Sequence, residues 1–225
     1  MRFAYLHGFA SGPQTKKGQL LRALFEGSGV PFAIPDLNTP SFRELSLAAM
    51  LERLDALDAA EGDEEGWGLV GSSLGGWLAA RWAGLRPDRV SRLLLLCPAF
   101  DLAGRWPALL PEGAMDMWRR GSLLLPDGTG TPQPVHYGFY EEALAAPAFP
   151  AVRQPTVIIH GTADDRVPIE GSRRYAAEHP SVRLVEVEDG HDLMASIAVI
   201  EAEAMHLIPA ESTLAPPAPV RTSGS

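Results

Sequence analysis

Six short apolar runs are spaced along the chain, at residues 3–6, 32–34, 67–70, 93–97, 156–159 and 184–187. Each has strand length. Leu93-Leu94-Leu95-Leu96 has no polar alternation, the pattern of strands buried on both faces. Helical periods lie between the runs. Ser41, with Glu44 three residues on, has the form of a capping box and predicts a helix starting there. Leu47, Met50, Leu51 and Leu54 then fall on one face of that helix. Further helices are predicted over residues 19–25, 74–83, 169–178 and 193–206. Strand and helix alternate, which predicts an α/β fold: a mostly parallel sheet with helices on both faces.

Residues 101–150 break the rhythm and are rich in Pro, Gly and aromatics. So long a structureless loop is rare inside a compact domain, so the segment reads as a small inserted cap with elements of its own. Trp106, Trp118, Tyr137, Phe139 and Tyr140 would pack this cap or face a pocket, and Trp118 and Tyr137 are the candidates for substrate contact. Residues 209–225, rich in Pro, Ala, Ser and Thr without an apolar period, read as a disordered tail. The expected organisation is one domain over residues 1–208, carrying the cap, followed by the tail.

The chain of 225 residues can bury a large core without a metal or a disulfide, and its single cysteine, Cys97, can form no intrachain bridge. A net charge of -9 and the lack of any basic run disfavour nucleic acid as a partner. No stretch approaches the roughly 20 apolar residues that span a bilayer. The apolar run behind Met1-Arg2 is too short for a secretory leader, so a soluble cytoplasmic protein is expected. The composition does not indicate an oligomeric state.

The strongest local signal is Gly71-Ser72-Ser73-Leu74-Gly75, a G-x-S-x-G pattern. By itself it is weak in a chain with 22 glycines. A strand before it and helix formers after it sharpen it. On a tight strand-to-helix turn a serine hydroxyl is pushed clear of the sheet, and flanking glycines let the backbone close up. Ser73 is therefore the candidate nucleophile. A serine needs a base, and His191, in Asp189-Gly190-His191-Asp192 after the last strand, is the best placed of six histidines. Asp164 follows the strand at 156–159 and is the candidate for orienting His191; its neighbour Asp165 reads as a turn residue. The order Ser73, Asp164, His191 matches the order known for this arrangement. His7-Gly8-Phe9-Ala10 follows the first strand. The backbone amides of Phe9 and Leu74 are the candidate oxyanion hole, and His7 and His160 read as loop braces. No H-x-x-x-H, paired-cysteine or phosphate-loop pattern occurs, so neither metal nor cofactor is expected.

Across residues 2–208 these features resemble the α/β-hydrolase superfamily. The opening Tyr5-Leu6-His7-Gly8-Phe9-Ala10-Ser11-Gly12-Pro13-Gln14 and the elbow through Gly76 look like small bacterial YqiA-type esterases. His160-Gly161-Thr162-Ala163-Asp164-Asp165-Arg166-Val167-Pro168 looks more like general carboxylesterases and acyl-thioesterases. The insert around Trp118, Gly121 and Tyr137-Gly138-Phe139-Tyr140 resembles caps of small depalmitoylating hydrolases. The resemblance implies cofactor-free cleavage of a carboxylic ester through an acyl-enzyme on Ser73. The alternatives are a thioesterase or carbon–carbon bond hydrolase on the same fold, or a non-catalytic binding protein.

Overall fold

A computed structural model describes residues 1–62 and 66–208. The expected tail lies outside the described residues. A six-stranded sheet organises the molecule: β1 (Arg2–Leu6), β2 (Phe32–Ala33), β3 (Trp67–Ser72), β4 (Val90–Leu96), β7 (Thr156–Gly161) and β8 (Val182–Val187). Its order is β2-β1-β3-β4-β7-β8 and every pairing is parallel. The intervening helices are α1 (Lys16–Gly27), α2 (Leu47–Glu61), α3 (Leu74–Leu85), α7 (Glu170–Glu178) and α8 (Ile197–Leu207). Between β4 and β7 the chain leaves the sheet. It forms α4 (Leu102–Leu109), α5 (Ala114–Arg119), the antiparallel hairpin β5 (Ser122–Pro126) and β6 (Pro132–His136), and α6 (Gly138–Ala145).

The unbroken apolar runs follow from burial on both sides. Successive side chains of a strand point to opposite faces. Phe3, Tyr5, Leu94 and Leu96 therefore join Leu21 and Phe25 of α1 and Ile200 and Leu207 of α8 on one face. Ala4, Leu6, Leu93 and Leu95 join Leu54 of α2, Leu78 of α3 and Tyr175 of α7 on the other. Each such fully buried leucine or phenylalanine contributes about 1.5–3 kcal/mol. The second core continues into the cap through Trp106, Trp118 and Phe139.

Two helix starts differ from the sequence expectation. Ser41 does cap Glu44 through its hydroxyl at 3.2 Å, but this closes a single isolated turn. Helix α2 begins at Leu47, where Ser46 Oγ accepts from the Ala49 N–H at 3.1 Å. The last helix begins at Ile197 rather than at Leu193, because Leu193 sits at φ 53°, outside the right-handed helical region.

Candidate active site

Four loops meet beyond the carboxyl ends of the parallel strands, the position at which open α/β sheets place their sites. β3 delivers Ser73, β7 delivers Asp164, β8 delivers His191 and β1 delivers the loop through Phe9.

Ser73 has φ 55° and ψ -118°, a conformation that costs a non-glycine residue on the order of 1–3 kcal/mol. Four backbone hydrogen bonds hold it there. Its N–H donates to the Leu96 carbonyl at 2.9 Å, and its carbonyl accepts from Gly76, Trp77 and Ala99. The flanking glycines are steric requirements. A Cβ on Gly71 would lie 2.3 Å from the Gly75 carbonyl oxygen, and one on Gly75 would lie 2.0 Å from that of Leu6. Gly8 crosses directly over the turn: a Cβ there would lie 3.2 Å from Ser73 Cβ. Among the described residues, the N–H groups of Phe9 and Leu74 donate to no protein acceptor. Both are available to an incoming oxygen.

His191 Nδ1 donates to Asp164 Oδ2 at 2.7 Å, leaving Nε2 as the free acceptor of the ring. The His191 side chain is 15% exposed and that of Asp164 is 0% exposed, so the pair presents only the imidazole edge to solvent. Burial opposes ionisation of Asp164. Hydrogen bonds from His160, His191 and the Val167 N–H outweigh it and hold the carboxyl far below the usual carboxylate range. Asp165 is exposed and takes no part. Ser73 Oγ forms no hydrogen bond with His191 Nε2, so the structure joins acid to imidazole but not imidazole to hydroxyl.

The surrounding residues hold these loops. His7 Nε2 accepts from the Leu37 N–H at 3.0 Å while Nδ1 donates to the Gly8 carbonyl at 3.0 Å, bracing the loop before Phe9. Burial pulls the His7 imidazole below its usual range, which keeps it in that neutral tautomer. His160 Nε2 lies 3.2 Å from Asp164 Oδ2 and 2.8 Å from the Val167 carbonyl, while Nδ1 lies 2.8 Å from Ser172 Oγ. With two acceptors facing Nε2, that nitrogen carries the proton and the Ser172 hydroxyl donates to Nδ1. Cys97, His160 and Asp164 offer three potential metal-ligand atoms within 4.8 Å of one another. His160 and His191 both hydrogen-bond Asp164, so these side chains form a hydrogen-bonded shell around that carboxylate.

Lys17 is a residue that sequence reading missed. It is buried on α1, and its ammonium donates to the Asp192 carbonyl at 2.8 Å, tying α1 to the His191 loop. A lysine in an amphipathic helix gives no local signal of this. Arg105 of α4 donates to the Arg166 carbonyl at 2.5 Å and joins the cap to the Asp164 loop.

A family model described as uncharacterised protein family UPF0227 matches residues 2–202. The chain belongs to that family. It is also a member of the α/β-hydrolase superfamily, as its fold and its relatives show. Mouse palmitoyl-protein thioesterase ABHD10, mitochondrial, is 34% identical over 127 residues. That match spans 53% of this chain and 41% of the mouse protein, so the chain aligns with less than half of that relative's length. The solved structure of mouse alpha/beta hydrolase domain-containing protein 10 superposes with TM-score 0.75 at 24% identity, covering 91% of this chain and 88% of that one. A protein from Agrobacterium vitis S4 gives 0.81 at 23%, covering 92% and 88%. Est1E from Butyrivibrio proteoclasticus gives 0.69 at 18%, covering 91% and 85%. At these identities the structural likeness shows the fold. Among the described residues no helix is long and apolar enough to cross a membrane. The cytoplasmic expectation gains nothing from the mouse relative, which is described as mitochondrial.

In this UPF0227 chain the cap aromatics form one continuous stack. Trp106 lies 4.6 Å from Trp118 between ring centroids and meets Phe9 edge-on at 5.6 Å. Phe139 lies 5.9 Å from Phe9. The cap therefore packs over the loop that carries Phe9. Trp118 is fully buried and its indole N–H donates to the Val135 carbonyl at 2.8 Å. It packs the cap and offers no face to a substrate, which corrects the sequence expectation. Tyr137 is half-buried and lines a separate cavity on the cap.

Proposed function

We propose that this chain is a serine acyl hydrolase acting on carboxylic esters. The observation that carries this reading is the 2.7 Å bond from His191 Nδ1 to a buried Asp164, at the same edge of the sheet as a serine on a strained elbow. Asp164 fixes the tautomer that leaves Nε2 free, and it stabilises the imidazolium when that forms. When a carbonyl enters, the Ser73 hydroxyl turns to Nε2, gives up its proton there and attacks the carbonyl carbon. The oxygen of the tetrahedral intermediate takes hydrogen bonds from the Phe9 and Leu74 N–H groups; losing one such donor typically costs about 10²–10³ in turnover. His191 returns the proton to the leaving oxygen as the carbon–oxygen bond breaks, leaving the acyl group on Ser73. Water, deprotonated by His191, then attacks that ester, and as the bond to Ser73 Oγ breaks His191 returns the proton to that oxygen, releasing the acid. Each step uses groups already in the chain, with no call for a cofactor.

A thioester is the second reading, favoured by the 34% identity to a protein named for thioester cleavage. The chemistry at Ser73 is the same with sulfur leaving in place of oxygen. Turnover of an ester and a thioester of one acyl group, with wild type and Ser73→Ala, tests both readings. We expect both activities to vanish in Ser73→Ala, and the larger kcat/KM identifies the preferred leaving atom. Full activity of Ser73→Ala would overturn the mechanism.

A further inference from the structure

A cluster of basic side chains lies where the cap meets the loop before α2, away from the four loops of the site. A cavity of about 450 Å³ is walled by Arg43, Arg119, Arg120 and His136, with Tyr137 and Ser122 beside them. The chain carries 28 acidic against 19 Lys and Arg side chains, so three arginines around one concavity run against the trend of the whole molecule. Their hydrogen-bonding capacity is largely free. Arg43 uses only Nε, donating to His136 Nε2 at 3.1 Å. The Arg120 side chain has no hydrogen-bond partner among the described residues, and Arg119 pairs with Asp116 at 3.0 Å while its guanidinium lies over Tyr137. Glu141, exposed, is the carboxylate lining the cavity.

The place of these residues in the fold is fixed. The His136 N–H donates to the Arg43 carbonyl at 2.9 Å, which ties the end of β6 to the loop before α2. The Tyr137 N–H donates to the Gly121 carbonyl, closing the base of the hairpin beside Arg119 and Arg120. The arginines thus stand on two anchored segments, the loop before α2 and the end of α5, rather than on one mobile loop.

We propose that this cavity binds the phosphate group of a small phosphorylated molecule. The planar guanidinium fork matches phosphate oxygens bidentately, and Arg43 and Arg120 each keep terminal nitrogens free for that purpose. Two such forks, one from the loop before α2 and one from the end of α5, suit a dianion with three acceptor oxygens better than a single carboxylate. The volume exceeds that of phosphate alone, leaving room along the Tyr137 ring for the rest of the ligand. That ligand is either the ester turned over at Ser73 or a separate small molecule.

The test is calorimetric titration of the full chain with inorganic phosphate at low, constant ionic strength. We expect one saturable site with a Kd on the order of 1 mM. Binding should weaken at least tenfold in Arg43→Ala/Arg120→Ala and stay unchanged in Arg153→Ala, an exposed arginine elsewhere. Circular dichroism checks that the double variant is folded. Should it unfold, Arg120→Gln, at an exposed position without a side-chain partner, replaces it and should weaken binding severalfold. No saturable heat, or equal weakening in Arg153→Ala, would overturn the proposal. Calorimetry needs no turnover, so a failure of the Ser73 mechanism leaves this result readable. Once binding is measured, competitive inhibition of ester turnover by phosphate assigns it to the ester substrate. Turnover unaffected at saturating phosphate assigns it to a separate ligand.

Discussion

At the scale of single residues, the account turns on two neighbouring carboxylates. Asp164 is buried and receives His191 and His160, while Asp165 faces solvent. Asp164→Asn keeps the size and removes the charge, and we expect a loss of roughly 10²–10⁴ in kcat/KM; Asp165→Asn should cost less than about tenfold. The reverse order would move the orienting role. The same carboxylate shapes the pH dependence of stability. Its folded-state pKa is depressed, so its contribution is fully present above the unfolded value of about 4 and is lost as pH falls below it. The stability gap between wild type and Asp164→Asn, from urea midpoints, should therefore narrow from pH 5 to pH 2. A gap constant over that range would contradict the assigned network. Much of this residue level is legible in sequence, because G-x-S-x-G, the H-G-x-x-D run and the late D-G-H each follow an apolar strand. Lys17 and Ser172 are not, because their partners lie 175 and 12 residues away and no pattern marks them.

At the scale of elements, the elbow sets the strictest demand. Gly75→Ala would bring a methyl to 2.0 Å from a β1 carbonyl, and the neighbour is backbone that cannot turn away. We expect that variant to be strongly destabilised, with soluble yield or melting temperature as the measure. Gly27→Ala is the contrast: it lies at the end of α1 with nothing within 4 Å of the added methyl, and should be neutral or stabilising by about 0.5–1 kcal/mol. Equal behaviour of the two would remove the close-approach explanation of the motif. The parallel strands are readable from sequence because burial on both faces strips out polar alternation. The start of α2 is not. Its first turn is capped partly by Glu142, whose Oε2 accepts from the Ser46 hydroxyl and the Ala48 N–H across more than ninety residues. The hairpin β5–β6 is also hidden, since Pro132 and Pro134 interrupt the strand pattern.

At the scale of the whole molecule, a parallel sheet gathers four loop ends at one edge and a cap closes over one of them. Aromatic contacts run through the cap, joining Phe9, Trp106, Trp118 and Phe139. Trp118→Ala should cost about 3–5 kcal/mol in stability, as for other large buried aromatics, with folded variant retaining its labelling at the elbow. A variant that kept wild-type stability while raising KM alone would return Trp118 to the substrate-contact role. The central claim is that one serine, carried on the turn between β3 and α3, is the nucleophile. Labelling the full chain with a fluorophosphonate and mapping the adduct by peptide mass spectrometry tests it most directly. The account predicts a single adduct on Ser73, lost in Ser73→Ala and slowed in Asp164→Asn. An adduct on Ser72, or active protein that takes no label, would contradict it.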